Sequence, residues 1–231
     1  MAGEAKDKRP VVLPLLLGFN GGYVDTMGFL ALQGLFTAHV TGNFVTLGAS
    51  LALGTSGALA KLLALPVFCA VVILSRLLSN ALRHREAPVF RYLLSIKLVL
   101  LIAAAVLAVR LGPFPDGDHW AAIVTGMILV SAMAVQNAAH RVYLPSLPPS
   151  TLMTGTTTQI MLDLADLVYG SSAEATAASR ARLARMSGVV AVFALGCGTA
   201  AALHVQIGVW SFAAPPVVAM LSLIVRGTAT P

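Results

Sequence analysis

From its N-terminus onward, the chain alternates long apolar runs with short polar connections. Six runs are long, at about Val11–Leu35, Leu62–Leu82, Phe90–Leu111, Trp120–His140, Met186–Ile207 and Val209–Val225. A helix needs roughly 20 apolar residues to cross about 30 Å of hydrocarbon, so each run predicts a crossing helix. Barrel strands would alternate apolar and polar positions, and these runs do not. Two shorter runs, about Val40–Leu53 and Met153–Tyr169, each open near a Thr-Gly pair (Thr41-Gly42-Asn43 and Thr154-Gly155-Thr156).

Composition agrees with this pattern. Hydrophobic residues make up 58% of the 231 residues and charged ones only 10%, whereas a soluble domain carries about 45–50% and about 25%. The expected fold is all-α: a polytopic membrane domain over 11–231 behind a polar tail, 1–10. The apolar sequence after that tail runs past Leu30 with no small-residue cleavage site. It therefore reads as a retained first helix and not as a secretory signal.

Charge then orients the helices. The net charge of +6 comes from connections, where Lys and Arg mark the cytoplasmic side, and not from a nucleic-acid surface. If all eight runs crossed, the Arg83–Arg91 and Arg180–Arg185 clusters would fall on opposite sides. If the two short runs enter and return on one side, Lys6, Lys8, Arg9, Arg83–Arg91, Arg141, Arg180–Arg185 and Arg226 all become cytoplasmic. Lys61, Arg110, Asp116 and Asp118 remain outside. Six crossings plus two re-entrant helices are therefore expected, with both termini cytoplasmic.

The order of features repeats. A helix with an internal polar residue, a Thr-Gly run, a Cys-containing helix (Cys69, Cys197) and a last helix occur in both halves, about 11–112 and 119–226. Three crossings per half is an odd number, so the halves would be inverted relative to each other, a plan common among secondary transporters.

The candidate site follows from the polar residues held inside this apolar frame. Asp25 lies about 20 Å into the first run at about 1.5 Å per residue, and an intramembrane carboxylate is by default a functional hypothesis. Thr41 and Thr154 are expected to N-cap their short helices, with Gly42 and Gly155 allowing close approach. Two helix N-termini converging at the midplane would favour an anion. Asn43, Gln136, Asn137 and Thr156 complete the expected solute-binding set, and His39 is a candidate for titration near neutral pH. Asp163 and Asp166, three residues apart on one helix face, could hold a divalent cation in a lipid-headgroup enzyme or simply mark the cytoplasmic interface. Lys97 and Arg76 are expected to snorkel. No P-loop, His-Glu-x-x-His or Gly-x-Ser-x-Gly motif is present. No cofactor, metal or nucleic acid is expected, and no enzymatic activity.

The run Gly22-Tyr23-Val24-Asp25-x-x-Gly28-Phe29, continuing to His39-Val40-Thr41-Gly42-Asn43, resembles the YoaK family of bacterial membrane proteins. Gln136-Asn137-Ala138 and Met153-Thr154-Gly155-Thr156 resemble it in the second half, and the likeness extends from about Leu13 to Val225. It implies a bacterial multi-pass protein of the cell membrane and supplies no substrate. The expected function is a small transporter or channel for an unidentified, anionic solute. A scaffold without transport is the alternative, and assembly into a homo-oligomer is left open.

Overall fold

The computed structural model describes residues 12–84, 87–151, 153–170 and 173–227. The tail 1–10, Arg85 and the Arg226 side chain lie outside what is described. The described chain forms helices α1 (Val12–Ala31), α2 (Gly42–Leu53), α3 (Ala58–Arg83), α4 (Val89–Leu111), α5 (Trp120–Tyr143), α6 (Met153–Tyr169) and α7 (Ala173–Ile207). A 3-10 stretch, Gly208–Ala213, then leads into α8 (Ala214–Gly227).

Three boundaries differ from expectation. Helix α1 stops at Ala31, short of Leu35, because Gln33 (φ 54°) and Gly34 (φ 83°) turn left-handed and reverse the chain. Helix α7 begins at Ala173 and not near Met186, so Arg180, Arg182 and Arg185 belong to a continuous 35-residue helix. The last run opens as a 3-10 stretch, and its α-helix starts only at Ala214.

Among the described residues, four stretches are long and apolar enough to cross a membrane: Ala58–Arg83, Val89–Leu111, Trp120–Tyr143 and Thr176–Val225, the last taking in both α7 and α8. Their outward faces are apolar, as at Ile73, Leu74 and Leu77 of α3 and Val99 and Val106 of α4. A soluble domain would place polar residues there; lipid tails need none. This is a helical membrane protein.

Helix ends show how the bundle runs. At one end, the amide of Gln33, just past α1, donates to the Phe114 carbonyl (3.0 Å). Nearby, Asp118, just before α5, accepts the backbone N–H of Gly57 (2.9 Å) and Leu59 (2.8 Å) at the start of α3. That carboxylate satisfies orphan donors of α3 and opposes its positive dipole end. At the other end, Arg83 of α3 lies 5.6 Å over the Tyr143 ring of α5. Phe90 of α4 packs against the same ring in a tilted arrangement, with centroids 5.6 Å apart. Helices α3 and α5 therefore run parallel, with α4 antiparallel to both.

Helices α1 and α7 are likewise parallel. Gly18 faces Val189 and Val192, while Gly22, one turn on, faces Phe193 and Cys197. Helix α1 is enclosed by the bundle, with Leu17, Tyr23, Val24 and Met27 all essentially without exposure. Two apolar clusters flank it. One is built around Tyr23, Leu101, Leu129 and Phe212, and the other around Leu13, Leu17, Phe90 and Leu93.

Candidate functional site

Each short helix is preceded by a segment that turns back into the bundle. After the reversal at Gln33–Gly34, residues 35–39 run back beside α1. Asp25 Oδ1 accepts the backbone N–H of Thr37 (2.8 Å) and Ala38 (2.7 Å). Its Oδ2 lies 2.6 Å from His39 Nδ1. Gly28 makes this approach feasible, since a Cβ there would lie 2.7 Å from Thr37 Cγ2. Asn43 then clamps the segment to α2 by accepting from Phe36 N (2.9 Å) and donating to Phe36 O (2.8 Å).

The second half repeats the device with different chemistry. Gln136 Nε2 donates to Ser150 Oγ (3.0 Å) and to Leu17 O (3.0 Å). Thr151 Oγ1 donates to Asn137 Oδ1 (2.5 Å). The tip at Ser150 presses on α1, where a Cβ at Gly21 would lie 2.8 Å from Ser150 O. Asp25 to Thr37 spans 12 residues and Gln136 to Ser150 spans 14. The Pro-rich stretch Pro145–Pro149 lies within the longer interval.

The two tips come together beside His39, which lines one cavity wall with Ser150 and Thr151. His39 lies in the connection between α1 and α2. The hydrogen bond to Asp25 raises it above the ordinary imidazole value, with burial opposing. A raised value means the contact stabilises fully below the ordinary value and is lost as pH climbs through the raised one.

Next to the tips lies a cavity of about 380 Å³, lined by His39 and Thr41 from the first half, Asn137, His140 and Arg141 from α5, and Thr151. None of the described residues lining it is acidic. A second cavity of about 460 Å³ lies between α1 and α7, bounded by Asp25, Phe36, Phe193 and Cys197. His39 belongs to the walls of both.

The structure thus gathers Asp25, Thr41 and Asn137 with His39, and gives the other candidates different places. Asn43 fastens its own loop, and Gly42 packs on the Phe36 ring. Gln136 is enclosed one step away. Thr154 and Gly155 are exposed at the start of α6 and do not line the cavity, and Thr156 is buried. Thr41 does not cap α2 with its side chain. Instead the first donors of α2 close tight turns: Gly42 N to His39 O (2.8 Å), Asn43 N to Val40 O and Phe44 N to Thr41 O (both 3.2 Å). These N–H groups are therefore not free to hold an anion, and any anion selectivity rests on the basic side chains of the cavity.

One further expectation, for Lys97, is corrected. Lys97 does not snorkel: it is fully enclosed, and Nζ donates to Gln136 Oε1 at 2.5 Å. An ammonium can only donate, so it fixes the Gln136 amide with oxygen toward Lys97 and nitrogen toward Leu17 and Ser150. Asp163 is not open to a cation. Its oxygens accept from Arg182 Nε (2.7 Å), Arg182 Nη2 (2.5 Å) and Gln159 Nε2 (2.9 Å). Among the described residues no group of three or more metal-ligating side chains forms.

The Lys97–Gln136 contact yields a double-mutant prediction. Gln136→Leu leaves the buried ammonium without its acceptor and is expected to cost about 3 kcal/mol. Adding Lys97→Met to Gln136→Leu is expected to restore most of that loss, because apolar replacement of both partners leaves nothing unpaired. Thermal midpoints of the two single variants and the double variant in detergent measure the coupling. Additive losses would show that the two side chains do not depend on each other.

A helical membrane protein with two turned-back segments meeting beside a central helix is the class defined by these features. The chain matches the family described as Protein of unknown function (DUF1275) over residues 13–225 and belongs to it. No curated protein and no solved structure matches the chain.

Proposed function

We propose that the chain carries a small anionic solute across the membrane, as a secondary transporter or channel and not as an enzyme. The observation that supports this best is the 380 Å³ cavity at the meeting of the two tips. Its ionisable lining is basic (His39, His140, Arg141) and its remaining polar lining includes Thr41 and Asn137. Irregular backbone at membrane depth is tolerated where protein or a water-filled cavity satisfies it, and both tips are satisfied in that way.

In this proposal α1, α3, α4, α5, α7 and α8 cross the bilayer, while α2 and α6 return to the side from which their segments entered. The halves then form an inverted repeat. Its support is the pairing of helices: α1 lies parallel to α7 as α5 does to α3, and α1 packs on α8 as α5 packs on α4. Arg83, Arg91, Arg141 and the Arg180–Arg185 turns fall at one end, which the positive-inside rule makes cytoplasmic. On this reading the membrane is the bacterial inner membrane, as the family resemblance implies.

The test is flux from liposomes loaded in turn with chloride, nitrate, phosphate, acetate and succinate. At least one of these is expected to cross. Removing its counter-charge with Arg141→Ala, or filling the cavity with Asn137→Leu, should slow that flux by about tenfold or more. Leu77→Ala, on the outward face of α3, should leave it unchanged. No flux of any of the five anions above empty liposomes would sink the proposal.

A further inference from the structure

The cavity beside the two tips has walls of opposite character. Helix α3 contributes only Phe68 and Val72, and the connection after α5 contributes Leu144, Pro145, Leu147 and Pro149. Helix α5 faces them with His140 and Arg141, beside Asn137. The contact of His140 Nε2 with the Leu147 carbonyl (3.4 Å) holds the apolar connection against the basic wall.

The basic groups are not equivalent. His39 is matched by the Asp25 carboxylate at 2.6 Å, and His140 is engaged by the Leu147 carbonyl. Arg141 is the only Lys or Arg of the lining, and no carboxylate among the described residues pairs with it. One guanidinium, always charged and forked, suits a single carboxylate or sulfonate. Arg141 sits two residues before the end of α5, and Val72 sits 11 residues before the end of the parallel α3. Those two ends are level, where Arg83 lies over Tyr143. The apolar wall therefore reaches about 14 Å deeper than the charge, at about 1.5 Å per residue.

We propose that the cavity takes an organic monoanion with an unbranched apolar body, its charged head on Arg141 and its chain between α3 and the 144–149 connection. The inference rests on the transport proposal for the passage of that anion but not for its binding. A small hydrated anion would exchange water for apolar walls on two sides, which is costly for a charge. A dianion would leave its second charge without a partner. At about 30 Å³ for each water-sized group, a cavity of about 380 Å³ holds about a dozen non-hydrogen atoms, too few for a two-chain lipid. Acetate, in the flux series above, is the shortest member of this class.

The test is calorimetric titration of the protein in lipid nanodiscs with methane-, butane-, hexane-, octane- and decanesulfonate, with empty nanodiscs as the blank. Sulfonates stay anionic across the accessible pH range and do not cross a bilayer as neutral acids. Each added methylene should tighten binding by about fourfold as far as about octanesulfonate, and decanesulfonate should gain nothing more. Arg141→Ala is expected to weaken every member by about tenfold or more while keeping the gain per methylene. Val72→Thr should weaken hexanesulfonate by about threefold and leave methanesulfonate unchanged, and Leu77→Ala should alter neither. Thermal midpoints matching the parent establish that the variants are folded, and the parent series decides alone if one is not. Equal or undetectable binding across the series would overturn the inference, as would binding indifferent to a folded Arg141→Ala. A gain that continues to decanesulfonate would place the chain in the bilayer and overturn it too. Because titration needs no flux, length-dependent binding without flux of any anion would reject the transport proposal and keep this site. Flux of an inorganic anion with length-independent binding would do the reverse.

Discussion

Gly22→Val and Gly196→Leu are each expected to leave little correctly folded protein. A Cβ at Gly22 would lie 2.2 Å from the Phe193 carbonyl oxygen, and one at Gly196 would lie 2.2 Å from that of Phe19. Comfortable carbon contacts need about 3.5–4.0 Å. The obstructing atoms are backbone, so no rotamer change can relieve them and α1 and α7 must separate along their whole seam. Overpacking in ordinary cores costs about 1–3 kcal/mol, and these sites, with backbone on both sides, fall at or beyond the upper end. Even Gly→Ala should harm both. By contrast, an added Cβ at Gly155 or Gly198 meets nothing within 4 Å. Alanine there should be neutral or stabilise the helix by about 0.5–1 kcal/mol. Monodisperse yield and thermal midpoint in detergent give the comparison. Wild-type values for Gly22→Val would mean that α1 and α7 do not touch as described.

Asp25 carries the second large effect, and its two substitutions should differ. Asp25→Ala removes the acceptor for two buried backbone donors and the partner of His39. Stranding groups that faced a buried charge typically costs about 3–5 kcal/mol. Asp25→Asn retains an oxygen for Thr37 and Ala38 and loses only the charged contact, with an expected cost nearer 1–2 kcal/mol. The order of thermal midpoints should therefore be wild type, then Asn, then Ala. Equal loss in Asn and Ala would mean that the charge, and not the anchoring of the loop, dominates. Since Asp25→Ala is expected to disturb folding, Asp25→Asn is the variant that reports on transport.

Much of this was legible in the sequence because lipid imposes simple rules. The ends of α2, α4 and α6 fall within a residue or two of the apolar runs, since turn-forming and polar residues gather in the connections that follow them. The two-residue offset between the halves is visible both as Thr-Gly spacing and as the distance from each anchor to its tip. What the runs did not disclose depends on long-range pairing. Lys97 stands eight residues inside α4, and only its acceptor on α5, 39 residues away, separates an enclosed ammonium from a snorkelling one. The glycines of α1 predict close packing but not which element approaches. Gly22 admits α7, Gly21 the second tip and Gly28 the first. Thr41 is a good capping residue, but it sits in helical backbone (φ −70°, ψ −23°), where its hydroxyl cannot reach forward as a cap would.

The pairing of α1 with α7 also has a consequence for biosynthesis. The chain makes α1 first, yet the surface that accepts Gly18 and Gly22 lies about 170 residues later, at Val189–Cys197. At about 5–20 residues per second, α1 waits on the order of ten seconds or longer for its neighbour. Throughout that interval the Asp25 carboxylate and the glycine face have no α7 to cover them. The period before α7 emerges is therefore when the nascent protein is most open to membrane quality-control proteases, and slowing translation between α6 and α7 should lower yield more than slowing it after α8.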